Sequence, residues 1–296
     1  MVTEKISKLF IINIISLKRR SACWCQPSGW GGVRSLMYGE ASHINENLLY
    51  YSIMRYAVVA DIHSNFEALS AVLNDIEHKG KVDELWCLGD IVGYGPDPGP
   101  CVEIIRKYCN RCVAGNHDLA AVGRVDTKYF NPHAAAAVHW TARQLSPEDA
   151  QYLEGLPLTI VKDDFTLVHG SPTDPAFEYI ISAGIAARNF SRYKTPYCLV
   201  GHSHQPVSFK EEDGGAAPIG LTPGVGVILG ETRMIINPGA VGQPRDGDPQ
   251  ASYIIYDDEA SIIRLVRVPY DIESTQQKII EAGLPVHLAT RLKEGR

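Results

Sequence analysis

Five times between residues 58 and 204 a short β-prone run stops at a residue able to hold a metal ion. The run at 58–60 is followed by Asp61 and His63, that at 85–88 by Gly89-Asp90, and Val113-Ala114 by Gly115-Asn116-His117-Asp118. The run at 165–168 leads into His169-Gly170, and Leu199-Val200 into Gly201-His202-Ser203-His204. Layered α/β folds assemble their sites from the loops that leave strand ends. The chain must therefore gather these strand ends at one edge, which constrains the fold more than any other feature of the sequence. Asp61 and His63, two residues apart, share a side while the backbone is extended.

The segments between the runs read as helices. Phe66, Leu69, Val72, Leu73 and Ile76 fall at helical spacing over 66–79. Pro100 opens a helix with Val102, Ile104 and Ile105, and another spans about 134–145. A further helix takes Ser146 as its cap, Pro147 at its first position and Asp149 as the acid that reaches back. Strands dominate the second half, at 158–162, 165–168, 197–200, 207–209, 225–229, 234–236, 253–256 and 262–268. The Gly- and Pro-rich stretch 211–224 reads as an exposed hairpin tip or loop. So many strands need two sheets, and the expectation is an α/β fold, a four-layer αββα sandwich of two mixed sheets with helices outside.

With 296 residues, 45% of them hydrophobic and 21% charged, the chain has the composition of a globular protein. Residues 1–53 sustain neither periodicity and carry six bases against three acids; they are read as a poorly ordered extension before a single domain at 54–296. That leaves a formal charge of −9 on the remainder. An acidic body does not attract polyanions by its own field, which weighs against nucleic acid as a partner. The apolar run 9–17 is interrupted by Asn13 and Ser16 and is about half the roughly 18 residues a membrane helix needs. Lys18-Arg19-Arg20 follows it instead of a small-residue cleavage site. The seven cysteines are odd in number, and neither Cys23/Cys25 nor Cys109/Cys112 has a matching second pair. The expectation is a cytoplasmic protein with no membrane association.

Asp61, His63, Asp90, Asn116, His169, His202 and His204 offer carboxylate, amide and imidazole but no thiolate. That set suits two borderline divalent ions, manganese, iron, zinc, cobalt or nickel, better than calcium or a structural zinc. Seven ligands are too many for one tetrahedral ion and fit two ions sharing a carboxylate.

In this order, Asp61-x-His63, Gly89-Asp90, Gly115-Asn116-His117-Asp118, His169 and Gly201-His202-x-His204 resemble the motifs of the calcineurin-like metallophosphoesterases, from about Met54 to the strands near Tyr256. The likeness is nearest to the small bacterial and archaeal phosphodiesterase branch, similar to diadenosine tetraphosphatases. It implies that Asp61, His63 and His204 hold one ion, Asn116, His169 and His202 a second, and that Asp90 bridges. It implies that His117 assists the leaving group, with Asp118 orienting it or a neighbouring ligand. The implied activity is hydrolysis of a small phosphodiester by in-line attack of a metal-bridging hydroxide. A phosphomonoesterase, a nucleotide or dinucleoside polyphosphate pyrophosphatase, and a non-catalytic scaffold of the same fold stand as alternatives. Protein serine/threonine phosphatases have Arg-Gly-Asn-His-Glu where this chain has Ala114-Gly115-Asn116-His117-Asp118, so a phosphate-clamping Arg is missing there. Ser203 replaces the more usual Thr and keeps a small hydroxyl.

Two weaker features follow from loop composition. Tyr94, in Gly93-Tyr94-Gly95-Pro96, is a candidate substrate wall, and Arg245, after Gln243-Pro244, a candidate phosphate ligand. His133 and His139, six apart on one helix, are read as surface or core residues and Asp257-Asp258-Glu259 as a hairpin turn.

Overall fold

The computed structural model describes residues 54–80 and 82–296. The reading of 1–53 as a disordered extension lies outside the described residues.

The first half alternates as its periodicities predict. β1 (Arg55–Val59) leads through a loop to α1 (Phe66–His78), β2 (Glu84–Cys87), α2 (Pro98–Tyr108) and β3 (Arg111–Cys112). α3 (Asn116–Ala121), α4 (Pro132–Gln144) and α5 (Pro147–Glu154) follow. Asn65 caps α1 by accepting from Ala68 N at 3.1 Å, and the helix buries Leu69, Val72, Leu73 and Ile76. The second half supplies β4 (Thr159–Lys162), β5 (Phe165–Val168), α6 (Ala183–Phe190), β6 (Tyr197–Leu199) and β7 (Pro206–Glu212). It continues with β8 (Gly215–Ile219), β9 (Gly226–Ile228), β10 (Met234–Pro238), β11 (Ala251–Asp257) and β12 (Ile262–Val268), and ends in α7 (Ile272–Glu281) and α8 (Val286–Thr290).

These strands form two six-stranded mixed sheets, ordered β3-β2-β1-β11-β12-β9 and β4-β5-β6-β10-β7-β8. Side-chain alternation builds the layers. Tyr197 and Leu199 of β6 face the core between the sheets, while Cys198 and Val200 meet Ala186 and Phe190 of α6 on the outer face. Trp86, 1% exposed, joins the sheets, with ring centroids 4.6 Å from Tyr56 on β1 and 5.6 Å from Phe165 on β5. This is the αββα sandwich the strand count requires. Within it β1, β2 and β3 run parallel, as do β5, β6 and β10. All the motif-bearing loops leave the carboxyl ends of these parallel strands, where open α/β sheets place ligands.

Three local expectations change. α2 starts at Pro98, not Pro100, and its cap residue Asp97 makes no capping bond because its carboxylate takes Lys278 at 2.9 Å. Asp149 does not reach back to the start of α5; it pairs with Arg106 at 3.4 Å. The stretch read as a hairpin tip or loop is a hairpin whose second arm, β8, pairs antiparallel with β7 around a turn at Asp213-Gly214, so less of it is loop than expected. As an edge strand β8 tolerates Pro218, and its Gly, Ala and Pro hide the strand signal. The periodicity reading assigned no helix to α6, α7 or α8.

α7 and α8 buttress the site edge. Lys278 reaches both Glu67 and Asp97, and Thr275 Oγ1 donates to Asn65 Oδ1 at 3.1 Å. Leu284, Leu288 and Leu292 pack with Tyr94, Ala134 and Ala137. Among the described residues no helix is long and apolar enough to cross a membrane.

Removing the aromatic bridge between the sheets leaves a cavity that neither sheet can collapse into. We expect Trp86→Ala to cost about 3–5 kcal/mol in urea denaturation. A loss below about 1 kcal/mol would show that the sheets are held together elsewhere.

Candidate metal centre and active site

The strand-end loops bring all seven candidate ligands to one buried cluster. Asp61, His63, Asp90 and His204 form one group whose ligand atoms lie within 4.8 Å of one another, and Asp90, His169 and His202 a second. Asp90 is common to both. These are the groups that the motif resemblance implies, with Asn116 added to the second through its Oδ1, 3.1 Å from His169 Nε2.

Each imidazole has one nitrogen committed to a backbone carbonyl. His63 Nδ1 lies 3.1 Å from Val92 O, His169 Nδ1 2.9 Å from Leu88 O, His204 Nδ1 2.6 Å from Gln243 O, and His202 Nε2 3.1 Å from Phe177 O. A carbonyl only accepts, so these nitrogens carry the protons and the others turn lone pairs into the cluster. There His63 Nε2 faces His204 Nε2 at 3.0 Å, and His169 Nε2 faces His202 Nδ1 at 3.1 Å. Paired ring nitrogens at such range need positive charge between them, a proton or a metal ion. Asp90 Oδ2 gives the same result: it is buried without a hydrogen-bond partner, 3.3 Å from His169 Nε2 and 3.5 Å from His63 Nε2. The residues present fit two divalent cations.

The electrostatics agree. Burial pushes Asp61 up to about 7, although His169 opposes it. Burial would do the same to Asp90, but His169 and His117 hold its carboxyl well below the usual range. Burial lowers His63 and His204 well below the ordinary histidine value and takes His202 to about 3. Only His169 is lifted, to about 9: burial works against its charge, but Asp90 and then Asp61 outweigh it. The pocket demands positive charge between its carboxylates.

Holding the ligands costs backbone strain. Asp61, His63, Asp90, His202 and His204 all have φ between 50° and 66°, the left-handed region, at roughly 1–2 kcal/mol each. The loops fix one another through His63 N to Asp90 O at 2.9 Å, Gly242 N to Asp61 O at 2.9 Å and Gly201 N to His169 O at 2.8 Å. Gly115 is required by close approach, since a Cβ there would sit 2.0 Å from Asp90 Oδ1.

His117 lies beside the ligands with its Nδ1 buried and unpartnered, and its backbone N donates to Asp90 Oδ1 at 2.8 Å. Asp118 does not orient its ring. Both carboxylate oxygens of Asp118 are occupied by backbone donors, Val92 N and Gly115 N, each at 3.0 Å, so it ties the loop after Asp90 to the loop before Asn116. The His117 ring is placed by packing: it lies 4.4 Å from Tyr94, 4.8 Å from His63 and 4.8 Å edge-on from Phe130.

A cavity of about 510 Å³ opens on the second group, lined by Asn116, His117 and His202 together with Tyr94, Tyr129, Phe130, Phe177 and Tyr179. Tyr94 thus forms part of the wall, as its loop composition anticipates. Arg245 does not line it; it sits behind Tyr94, 3.4 Å from the hydroxyl, and bonds Gln243 Oε1 at 2.9 Å. His133 and His139 are exposed on α4, His139 bonding Thr127 Oγ1 at 3.0 Å. Sequence reasoning did not single out Phe177, whose carbonyl fixes His202, or Tyr179, whose ring stacks on His202 at 3.8 Å. Neither residue stands in a motif, and only the folded loop brings them to the site.

Residues 54–261 match the calcineurin-like phosphoesterase superfamily domain. The chain belongs to the calcineurin-like phosphoesterase superfamily. It is 40% identical over 246 residues to an uncharacterized protein of Methanocaldococcus jannaschii, across 81% of this chain and 98% of that one. The crystal structure of a metallophosphoesterase from Sphaerobacter thermophilus is 48% identical and superimposes with a TM-score of 0.76, covering 83% of this chain and all of that one. The symmetrical bis(5'-nucleosyl)-tetraphosphatase of Erwinia tasmaniensis is 35% identical over only 79 residues, 24% of this chain and 29% of that one. Membership places the chain among metal-dependent phosphoester hydrolases, a dinuclear family.

Asp90 is the one side chain common to both ligand groups of this superfamily member. Asp90→Ala should remove more than one equivalent of metal and abolish hydrolysis, whereas a variant in one group only, His204→Ala, should spare one ion. Elemental analysis finding two equivalents retained in Asp90→Ala would overturn the shared role.

Proposed function

We propose that the chain hydrolyses a small phosphodiester at a two-metal centre, with Asp61, His63 and His204 holding one ion, Asn116, His169 and His202 the other, and Asp90 both. The observation that carries this reading is the buried, unpartnered Asp90 Oδ2 between His63 and His169. Two bound divalent ions supply the charge that neutralises the phosphoryl oxygens and the lowered pKa that makes water a nucleophile at neutral pH. The chain's own contribution is to orient and to exclude. The four carbonyl-anchored imidazoles present fixed lone pairs, and the walls of the cavity shield the reacting phosphorus from bulk water.

His117 is the residue assigned to the leaving group. Burial brings its pKa down to about 4; Asp90 opposes this and Arg245 adds to it, so the ring is neutral near pH 7. A neutral imidazole keeps one N–H, which can donate a hydrogen bond to the negative charge developing on a departing oxygen. The ring's place on the cavity wall supports this use.

Charge favours a diester over the alternatives. The cavity lining contains no Lys or Arg and includes Asp174. Among the described residues a polyphosphate chain entering it would find no Lys or Arg in the lining, Arg245 acting only from outside it, and a monoester carries nearly a second negative charge to be neutralised. A diester brings one charge and two neutral arms. The similarity to the tetraphosphatase of Erwinia tasmaniensis spans too little of that protein to offset this. The scaffold alternative leaves the intact ligand set and its anchoring carbonyls without a purpose.

Metal-loaded protein should turn over bis(p-nitrophenyl) phosphate with higher kcat/KM than p-nitrophenyl phosphate, and no hydrolysis with any of the five candidate metals would overturn the reading. His117→Ala should keep its metal and lose about 10²- to 10⁴-fold on alkyl or ribose diesters. It should lose much less on nitrophenyl esters, whose leaving group needs little help. Equal losses on both would make His117 a positioning residue, and loss of an ion would make it a ligand.

A further inference from the structure

Two of the aromatic rings at the cavity are left exposed. Tyr129 is 70% exposed and Tyr179 42% exposed, although large aromatic side chains are normally buried. Tyr129 ends a short 3-10 turn, Thr127–Tyr129, whose cap Asp126 accepts from Lys128 N at 2.9 Å. Phe177 is its ring neighbour, the centroid 6.2 Å away and tilted by 57°, so a flat ring enters between them only if Tyr129 turns. Neighbouring Phe130 packs edge-on against His117, and Tyr179 lies flat on His202.

The two sides differ in rigidity. Phe177 belongs to a loop held by Ser171, which bonds Glu178 at 2.5 Å, and by Asn189, which bonds Glu178 at 2.8 Å and Thr173 N at 3.0 Å. Its carbonyl anchors His202, so the ring stands at a fixed distance from the second ligand group. Tyr129 is exposed, and its ring can turn on its own side-chain bonds. A fixed ring opposite a movable one, above a polar floor of Asn116, His117 and His202, is suited to gripping a flat ring attached to a phosphate.

We propose that Tyr129 and Phe177 are the jaws of an aromatic clamp that holds a nucleobase on one arm of the phosphodiester, and so determine specificity. The proposal rests on the phosphodiesterase reading above and specifies its substrate as a nucleoside monophosphate diester. Stacking suits every base because each has a π-face, and it needs no cation, in keeping with a lining that has none. The cavity of about 510 Å³ lies within the ordinary range for small-molecule sites.

The test compares AMP with ribose 5-phosphate, which differ only in the base, by calorimetric titration into the manganese-loaded full chain. AMP should bind about 5- to 100-fold more tightly. Tyr129→Ala and Phe177→Ala should each cut that ratio toward one by weakening AMP alone, and Tyr129→Trp should preserve it. Equal affinities for the two ligands, no detectable AMP binding, or variants that weaken both ligands alike would overturn the clamp. The last pattern would mean that Phe177 serves only to place His202. Hydrolysis of bis(p-nitrophenyl) phosphate, measured on the same preparation, separates the two readings. Turnover with equal AMP and ribose 5-phosphate affinities rejects the clamp alone, and an AMP preference without turnover rejects the esterase reading alone.

Discussion

Two carboxylates, Asp61 and Asp90, lie at the strand-end edge of the sheets with almost no access to water, and ionised groups so placed cost several kcal/mol each unless positive charge meets them. Among the described residues no lysine or arginine pairs with either carboxylate, and Arg245 acts on Asp61 only through its longer-range field. Their neighbours are imidazoles, and three of the four candidate ligand imidazoles are pushed by burial toward the neutral form. Neutral imidazoles with their protons already given to carbonyls can do little for a carboxylate except share a cation with it. The chemistry of the site thus follows from one requirement, neutralising Asp61 and Asp90 without a lysine or arginine paired to either.

The same requirement shapes the backbone. Side chains that must converge on a small volume from five strand ends cannot all do so with relaxed φ angles, and five of the seven candidate ligands sit in the left-handed region. That strain persists only where the surroundings enforce it. The loops lock to one another through main-chain hydrogen bonds, and Asp118 ties two of them together. α7 and α8 close the assembly by packing against Tyr94, itself at φ 57° between the ring of His63 and the ring of His117. A helical pair outside the matched superfamily segment therefore bears on the site through Tyr94 and through the loops of Asn65 and Asp97.

Much of this was legible in the sequence because the signals are local. β-prone runs such as Tyr56-Ala57-Val58 and the helical spacing of Leu69, Val72 and Leu73 report their own burial, and the ligands follow their strands directly. What could not be read is what depends on distant partners. Asp97 and Asp149 look like cap residues, yet Lys278 and Arg106 claim their carboxylates. Asp118 sits next to His117 in the chain but turns to backbone donors on either side. Pro218 and its small neighbours conceal an edge strand that only pairing with β7 reveals. Phe177 and Tyr179 belong to no motif, because a carbonyl anchor and a stacked ring leave no residue-type signature.

The distribution of charge then selects among substrates. The chain beyond residue 53 is formally −9, so its long-range field repels phosphates, and the attraction must come from the metal centre at short range. Around that centre the cavity offers rings and an Asp rather than cations. Each negative charge a substrate carries beyond the one at the reacting phosphorus is therefore unfavourable twice, on approach and in the cavity. Each flat apolar surface gains in both places, because it is indifferent to the field and finds rings to stack on. An acidic protein with a cationic point inside an aromatic cleft discriminates by what surrounds the phosphate as much as by the phosphate itself. Under the proposed reading that favours a singly charged diester with an aromatic arm over a polyphosphate with two.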